Sequence, residues 1–330
     1  MSTSRIHRGP SSGAEHIHLP RTRDAAAKPR SRVAILGTGK MGSAIAGRLS
    51  EAGFELTLWN RTRERAVALG IGHVADSPVS ATLNGSVVIS SLTGADAVRA
   101  AYMGPAGALS AAEGTLFIEM STAGADLVTS LAEEVATAGG RLVDAPILGA
   151  PPLVRDGKAT ILVGGDDLVV GLALPVLEAL GTVRHVGPLG SGARLKLVAN
   201  SMLADVILAA AELQVAGERS GLDPDDVFWV LQRLAPVIAA RRHGFVEDRH
   251  EPTLFALRDL RKDLDLALGL FGRSAVQTPV TLQAQHLVAA AASQDGDLDI
   301  TAVVRPYRQV ERSSVADTWM GSPRAADQAR

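Results

Sequence analysis

Two polar residues in the second half of the chain have the spacing that proton-transfer chemistry needs. Lys196 and Asn200 are four positions apart, so a helix would place them on one face, one turn from each other. A lysine whose pKa is lowered by partial burial can carry the proton that moves when a hydroxyl and a carbonyl are interconverted, and Asn200 would orient the oxygen. The same pair is common on exposed helices, and by itself it favours a solvated surface.

A glycine-rich turn in the first half of the chain matches a dinucleotide-binding pattern. The run Gly37-Thr38-Gly39-Lys40-Met41-Gly42 fits G-x-G-x-x-G between the predicted strand Val33–Leu36 and the predicted helix Met41–Glu51. In this pattern the first glycine permits a tight turn, the second lets the backbone approach a pyrophosphate, and the third allows close helix–strand packing. A glycine turn without a ligand is the alternative, but the strand, turn, helix and second strand together favour a cofactor site.

The residues after the second predicted strand bear on the choice of cofactor. Strand Glu55–Trp59 is followed by Asn60-Arg61-Thr62, where an enzyme dedicated to NAD usually has an acidic residue for the ribose hydroxyls. Asn60 can bond the ribose, whereas Arg61 and the hydroxyl of Thr62 suit a 2′-phosphate. We therefore expect NADP in preference to NAD. An arginine on a solvated helix start is the alternative, and Arg63 and Arg65 could share the role.

Further stretches accompany this turn in a fixed order and spacing. They are Asp144-Ala145-Pro146, then Gly190-Ser191-Gly192 with Lys196 and Asn200, and finally Lys262-Asp263-Leu264. Together with the turn and Asn60-Arg61-Thr62, they make residues 33–310 similar to the β-hydroxyacid dehydrogenase family, which includes 3-hydroxyisobutyrate and 6-phosphogluconate dehydrogenases. The resemblance implies hydride transfer between a nicotinamide cofactor and a small β-hydroxy acid, aldehyde acid or more apolar carbonyl substrate.

The resemblance also implies roles for individual residues. It makes Lys196 the general acid/base and Asn200 a substrate ligand, and it places Lys262 near both the nicotinamide and the substrate. Ser121-Thr122 correspond to residues that contact the substrate and the nicotinamide ribose, and Leu92-Thr93 lie where the family lines the cofactor.

Each of these residues also has a purely structural interpretation. Ser121-Thr122 could cap the following helix, Lys262-Asp263 could belong to a solvated run of charges, and Asp144 could be a turn residue. The joint pattern favours the functional interpretation.

The predicted substrate-binding segment departs from the family. Where the family normally has Ser-Gly-Gly to grip a carboxylate, this chain has Leu148-Gly149-Ala150, followed by Pro151-Pro152. Leu148 has no hydroxyl, Ala150 restricts the backbone, and the prolines have no N–H donors. Ala199 also replaces a family asparagine. We expect a small carboxylate to be held less well, in a pocket that is more apolar than usual.

Two other functions are open at this point. An imine reductase-like protein that uses NADPH would share the Rossmann turn and Asn-Arg-Thr, and often has Pro-Pro where Pro151-Pro152 stand. Lys196 argues against it, because an ammonium group would repel a cationic iminium. From another class, a non-catalytic binding module could use the basic tail, residues 1–32, whose seven Arg and Lys against two acids give a net charge of +5.

The elements that must position these residues follow an alternating pattern. Short β-branched runs, among them Val87–Ser90 and Leu116–Glu119, alternate with helical patterns up to about Val186. Long Ala- and Leu-rich helical patterns follow Gly190: the first is Ala193–Arg219, the next starts at the cap Asp223-Pro224, and another is Asp259–Phe271. We predict an α/β fold, a Rossmann doubly wound, mainly parallel sheet followed by an all-α helical domain. The predicted segments are a disordered basic tail (1–31), a Rossmann domain (32–189), a helical substrate and dimerisation domain (190–312) and a flexible C-terminal tail (313–330).

Composition limits the partners. The chain has no cysteine, which excludes disulfides and thiolate metal sites, and its histidines are scattered without ligand spacing, so we expect no metal. The body outside the basic tail has a net charge of −7, so we expect no nucleic-acid partner. No uninterrupted apolar stretch reaches the roughly 18 residues that a membrane span requires. We expect a cytoplasmic homodimer with a small-molecule substrate.

Overall fold

The structure is a computed structural model that describes residues 32–309, all within one compact unit. The predicted basic tail, the last residues of the predicted helical domain and the predicted C-terminal tail lie outside the described residues.

A nine-stranded sheet is formed by the first half of the described chain. Its strands are β1 (Arg32–Leu36), β2 (Glu55–Trp59), β3 (His73–Val74), β4 (Val87–Ser90), β5 (Leu116–Glu119), β6 (Arg141–Asp144), β7 (Ile147–Leu148), β8 (Ala159–Gly164) and β9 (Gly181–Gly187). The order is β3-β2-β1-β4-β5-β6-β8-β7, with β9 also paired to β8. The pairs from β3 to β6 are parallel, whereas β8 runs antiparallel to β6 and β7.

Helices cover both faces of this sheet. They are α1 (Lys40–Glu51), α2 (Arg63–Val67), α3 (Pro78–Leu83), α4 (Ala95–Met103), α5 (Ala125–Thr137), α6 (Pro151–Arg155) and α7 (Asp167–Leu180), with a 3-10 helix at Ala108–Ala111. Apolar residues of α1 and α7 form one buried cluster with the strands, and those of α4 and α5 form a second. Successive side chains of a strand point to opposite faces, so β1 contributes Ile35 to the first cluster and Leu36 to the second.

The second half of the described chain is helical. Its helices are α8 (Ser191–Arg219), α9 (Pro224–Leu234), α10 (Arg242–Glu247), α11 (Leu257–Arg273), α12 (Pro279–Asp295) and α13 (Val304–Gln309), with 3-10 helices at Pro236–Arg241 and Ile300–Val303. Helix α8 is the central element, since its residues from Ala204 to Val215 pack into a third buried cluster with α11 and α12. Asp223 caps α9 through Asp225 N and Asp226 N, as the sequence Asp223-Pro224 predicts.

The length and composition of helix α8 would by themselves allow it to span a membrane. Half of its most apolar 18-residue window is buried inside the protein. Packing into the third buried cluster therefore accounts for the buried half of this window, and Leu195, Val198 and Met202 are exposed.

The predicted fold class is confirmed, and the differences lie at element ends and in short strands. Helix α8 begins at Ser191 rather than at the predicted Ala193, and α11 begins at Leu257 rather than at Asp259. Strands β3 and β7 were not predicted, because two residues are too few to show a period-two pattern.

Candidate active site

The three glycines of the first turn occupy three different environments. Gly37 has φ +102°, and a Cβ there would lie 2.3 Å from Ser91 O. A Cβ on Gly42 would lie 1.9 Å from Gly37 O, so only glycine allows α1 to pack against the turn. A Cβ on Gly39 would meet nothing within 4 Å, which leaves open space where the pattern places a pyrophosphate.

The polar groups of the turn fit an anionic ligand. Helix α1 begins after Gly39, and no side chain caps its N-terminus. The hydroxyl of Thr38 is buried and has no hydrogen-bond partner among the described residues. Uncapped backbone N–H groups at the positive end of a helix dipole are the groups that phosphates bind. The two predicted cofactor residues that begin α1 differ: Met41 packs partly into the core, whereas the Lys40 ammonium donates to Thr253 O at 2.8 Å.

Asn60 is tied to the protein at both ends of its amide. Its Oδ1 accepts a hydrogen bond from Thr38 N at 3.0 Å, and its Nδ2 donates to Thr62 O at 2.8 Å. Asn60 therefore fastens the end of β2 to the glycine turn, a role that the sequence analysis did not foresee.

The arginines beyond Asn60 differ in their availability. Arg63 pairs with Asp76 at 2.7 Å. Arg61 and Thr62 are exposed, and neither side chain has a hydrogen-bond or ionic partner in the described part of the chain. Arg61 is thus free to bind a ligand phosphate, and the exposed Arg65 on α2 likewise has no side-chain partner in the described part of the chain.

The loops after β4 and β5 are hydrogen-bonded to each other. Ser121 Oγ accepts from Leu92 N at 2.9 Å, and Thr122 O accepts from Lys262 Nζ at 2.6 Å. Thr93 is exposed just before Gly94, where a Cβ would lie 3.4 Å from Lys262 Cδ. The predicted residues of both loops therefore converge on Lys262.

Asp144 anchors the start of the long helix α8. Its carboxylate accepts from Gly190 N at 2.7 Å and from Ala193 N at 2.6 Å, so it acts as a helix cap and not only as a turn residue. A Cβ on Gly192 would lie 2.8 Å from Asp144 Oδ2 and closer still to Leu162 O, so position 192 requires glycine. Burial raises the pKa of Asp144, although the bonds from Gly190 and Ala193 oppose this. The cap fixes where Lys196 stands, one turn further along the helix.

One carboxylate gathers the predicted catalytic residues. Asp263, which is 2% exposed, accepts from Lys262 Nζ through Oδ1 at 2.6 Å and from Asn200 Nδ2 through Oδ2 at 2.5 Å. Lys196 Nζ donates to Ile147 O at 2.7 Å. The charge of Asp263 also raises the pKa of Lys196, so α8 and α11 place two of the three predicted catalytic residues in contact with this carboxylate and the third within its electrostatic reach.

Burial controls the charges in this cluster. It lowers the pKa of Lys196, the nearby charge of Lys262 lowers it further, and Asp263 opposes the change. Burial raises the pKa of Asp263, against the stabilising effect of Lys262, Lys196 and Asn200. A partly buried lysine with a lowered pKa is the proton-transfer group that the sequence predicts at position 196.

The segment Leu148-Gly149-Ala150 lies beside Lys196. Ile147 and Leu148 pair with β8, and this pairing presents Ile147 O to the ammonium of Lys196. Gly149 has φ +142°, and Ala150 precedes α6, which begins with the two prolines. Leu148 is half-buried, and Leu153 is 42% exposed. The side chains that this segment presents are therefore apolar.

Asp263 and Ile147 O have roles in this cluster that were not predicted from the sequence. A signal for Asp263 was present, because Leu257, Leu260, Leu264 and Ala267 form the buried stripe of α11 and position 263 falls within it. A carboxylate on the apolar face of a helix is rarely left without a partner. A backbone carbonyl such as Ile147 O carries no such signal.

Known proteins resemble the chain over the whole described region. The model of the NAD-binding domain of 6-phosphogluconate dehydrogenase matches residues 32–187, and the model of the NAD-binding domain of NADP-dependent 3-hydroxyisobutyrate dehydrogenase matches residues 190–307. The glyoxylate/succinic semialdehyde reductase 1 of Arabidopsis thaliana is 31% identical over 285 residues, which cover 84% of this chain and 98% of that protein.

Solved structures agree with these matches. A Mycobacterium tuberculosis 3-hydroxyisobutyrate dehydrogenase, solved with L-serine, is 27% identical and superposes with a TM-score of 0.74, over 84% of this chain and 99% of its own. An imine reductase from Pseudomonas sp. is 22% identical with a TM-score of 0.57, over 84% of this chain and 99% of its own, a likeness of the fold alone. The chain therefore belongs to the β-hydroxyacid dehydrogenase family of NAD(P)-dependent oxidoreductases.

Proposed function

We propose that the protein interconverts a carbonyl group and a hydroxyl group on a small substrate, with Lys196 as the residue that moves the proton. The observation that carries this proposal is the partly buried Lys196 ammonium, whose pKa is lowered and which lies within one cluster with Asn200, Lys262 and Asp263. The nicotinamide cofactor, when bound, supplies or accepts the hydride.

The hydrogen bonds already present leave the cluster able to hold a substrate oxygen. In the reducing direction Lys196 gives a proton to the substrate oxygen while Ile147 O holds the ammonium in place. Asn200 Nδ2 has two N–H groups. One donates to Asp263, and the other is left to donate to the substrate oxygen. Lys262 bridges Asp263 and Thr122 O, and it fixes the loop after β5 beside this cluster.

We propose an aldehyde acid or a related, more apolar carbonyl compound as the substrate. A reductase of glyoxylate and succinic semialdehyde is among the relatives, which supports an aldehyde acid. The apolar side chains of Leu148 and Leu153, with Pro151-Pro152 at the start of α6, support a substrate whose carboxylate is not bound by this segment. Ser121 Oγ accepts from Leu92 N and is also hydrogen-bonded to Glu119, so this hydroxyl is already bonded to the protein before a substrate binds.

NADP is proposed in preference to NAD. The unpaired, exposed Arg61 at the end of β2 supports this, because a guanidinium can bind a 2′-phosphate through two parallel hydrogen bonds.

A homodimer formed through the helical domain is also proposed. Leu195, Val198 and Met202 follow one another at helical spacing on α8 and are 40%, 48% and 63% exposed. Trp229 and Leu234 on α9 add exposures of 52% and 82%. Exposed apolar side chains at helical spacing are typical of an interface, and a second copy of this chain is the proposed occupant. The cytoplasmic location stays a prediction from the absence of cysteine.

The test is a substrate panel with a lysine variant. Purified protein is assayed for NADPH oxidation with glyoxylate, succinic semialdehyde, uncharged aldehydes and cyclic imines, and Lys196→Met is compared with Lys158→Met, an exposed lysine outside the cluster. We expect aldehydes to be reduced and Lys196→Met to lower kcat by roughly 10²- to 10⁴-fold with NADPH binding unchanged. Turnover of imines alone, or aldehyde turnover that survives Lys196→Met, would refute the proposal.

A further inference from the structure

A buried acid lies beneath the loops that converge on the cofactor side of the site. Glu119 ends β5, is 1% exposed, and has no role in the proton transfer described above. Its Oε2 accepts from Ser90 Oγ at 2.5 Å, and its Oε1 accepts from Ser121 N at 2.7 Å. Ser90 Oγ is in turn 2.7 Å from the hydroxyl of Tyr102, which is fully buried on α4.

The hydrogens in this network fit the ionised acid. With a carboxylate at Glu119, Ser90 Oγ and Ser121 N donate to its two oxygens, and the hydroxyls of Ser121 and Tyr102 also hydrogen-bond to it. With a carboxylic acid, one carboxyl oxygen carries a hydrogen and must donate, so one of the surrounding hydroxyls has to change from donor to acceptor. The groups around Glu119 therefore favour the ionised form.

Burial opposes ionisation, and the two effects nearly balance near neutral pH. Removal from water raises the pKa of Glu119 to about 7, against the lowering effect of the bonds from Ser121, Ser90 and Tyr102. Tyr102 from α4 is the titratable group that faces the carboxyl, while β4 and the loop after β5 present the uncharged Ser90 and Ser121. The acid thus changes charge in the range where the enzyme would work.

The bonds of Glu119 lead directly to the cofactor side. Glu119 accepts from the backbone N–H of Ser121, and Ser121 Oγ accepts from Leu92 N. The side chain of Leu92 packs against the glycine turn, because a Cβ on Gly37 would lie 2.8 Å from Leu92 Cδ2. The next residue, Thr122, accepts from Lys262 Nζ. One carboxylate thereby supports the glycine turn on one side and the Lys262 contact on the other.

We infer that Glu119 is a positioning residue for cofactor binding, and that its ionised form holds the Ser121–Thr122 loop in the arrangement that binds NADPH. The inference rests on the proposed function only in placing the cofactor against this loop, and it does not depend on Lys196. Because binding then favours the ionised acid, NADPH binding releases a proton from Glu119 when the free enzyme is protonated there.

Calorimetry of NADPH binding tests this inference without turnover. Affinity and proton release are measured from pH 6 to 8 in buffers of different ionisation enthalpy, for the wild type and for Glu119→Gln. A charge-assisted bond is roughly twice as strong as a neutral one, so wild-type affinity should rise about three- to tenfold more than that of the variant over this range. The 2′-phosphate of NADPH also titrates within this pH range. The inference is therefore tested by the difference in pH dependence between the wild type and Glu119→Gln.

A matched control is Glu133→Gln, which makes the same chemical change at an exposed position of α5 and should leave the pH dependence as in the wild type. If Glu119→Gln shows the same proton release and the same pH dependence as the wild type, the inference is wrong. Loss of turnover in Lys196→Met, or its survival, changes neither measurement, so the two proposals fail separately.

A second variant serves if Glu119→Gln does not fold. Ser90→Ala removes a hydrogen bond that lowers the pKa of Glu119 and leaves the acid in place. We expect the inflection in NADPH affinity to move to higher pH in Ser90→Ala. An inflection that stays where it is in the wild type would overturn the inference, because it would belong to another group.

Discussion

Asn200 and Asp263 are 63 positions apart in the chain and are joined by a 2.5 Å hydrogen bond from Nδ2 to Oδ2. The other oxygen of the same carboxylate accepts from Lys262 Nζ at 2.6 Å. Since Asp263 is buried, it can neither rotate into solvent nor release these partners without leaving a charge unpaired. One side chain on α11 therefore sets the relative positions of predicted site residues from two helices.

Asp263→Asn should change the pH dependence of the reaction. The negative charge of Asp263 holds the pKa of Lys196 up against burial, so its removal lowers that pKa further. In the reducing direction Lys196 must be protonated, and the alkaline limb of the kcat profile should move to lower pH, with kcat reduced by at least about tenfold at pH 8. The measurement is NADPH oxidation from pH 5 to 10.

The control for Asp263→Asn is Asp265→Asn on the same helix. Asp265 is exposed and accepts from Gln285, outside the cluster. The pH profile of kcat for Asp265→Asn should match that of the wild type. An alkaline limb that is identical in wild type and Asp263→Asn would show that Asp263 does not tune Lys196.

Gly42→Ala and Gly47→Ala form a matched pair within α1. A Cβ at position 42 would lie 1.9 Å from Gly37 O, whereas a Cβ at position 47 would meet nothing within 4 Å. Gly42→Ala should therefore displace the turn and lower NADPH affinity by at least about tenfold. Gly47→Ala should bind normally and gain up to about 1 kcal/mol in the free energy of unfolding, because alanine is the better helix former. Equal affinities in a binding titration would contradict the role of Gly42.

Arg61→Ala tests cofactor preference. Loss of a guanidinium–phosphate pair should cost about 1.5 to 3 kcal/mol, which raises the KM for NADPH roughly 10- to 150-fold with little effect on the KM for NADH. Arg63→Ala is the comparison, since Arg63 is paired with Asp76 and should affect the two cofactors equally. A variant that loses NADH and NADPH affinity together would remove the argument for a 2′-phosphate contact.

Met202→Glu tests the proposed dimer. A charge at this 63% exposed position on α8 would have to be buried in an interface, so the mass measured by light scattering should fall from two chains to one. Leu83→Glu, at a 70% exposed position on α3, should leave the mass unchanged. A wild-type protein that is monomeric at micromolar concentration would refute the dimer outright.

The raised pKa of Glu119 should also make the free energy of unfolding depend on pH. Its pKa is raised from 4.5 to about 7, so between these values the unfolded chain loses a proton that the folded protein keeps. The stabilising contribution is fully present below pH 4.5 and is lost as pH rises through 7, a change of about 3 kcal/mol. The measurement is urea unfolding of the wild type and of Glu119→Gln from pH 4 to 8. The difference between their free energies of unfolding should change by this amount over that range. A constant difference would place the pKa of Glu119 near its ordinary value.

Patterns between near neighbours were sufficient to predict much of this protein. The strands Glu55–Trp59, Val87–Ser90 and Leu116–Glu119 were predicted with the bounds that the structure has, and so was the cap of α9 by Asp223. The glycine turn was predicted with a distinct role for each glycine. These features depend on backbone conformation and side-chain periodicity over a few residues, which the order of the amino acids states directly.

Contacts between distant segments were decided by the tertiary structure alone. Ile147 O reaches Lys196 across 49 positions because the two-residue strand β7 exists only where β8 completes its ladder. Ser90 meets Glu119 across 29 positions because β4 and β5 are adjacent and parallel, and their carboxyl ends coincide. Asn60 was predicted to bind a ligand, and only the fold shows that its amide also bonds to Thr38 N and Thr62 O. Which polar groups pair, and which remain free for a ligand, depends on desolvation and three-dimensional proximity, and residue type and spacing do not determine either.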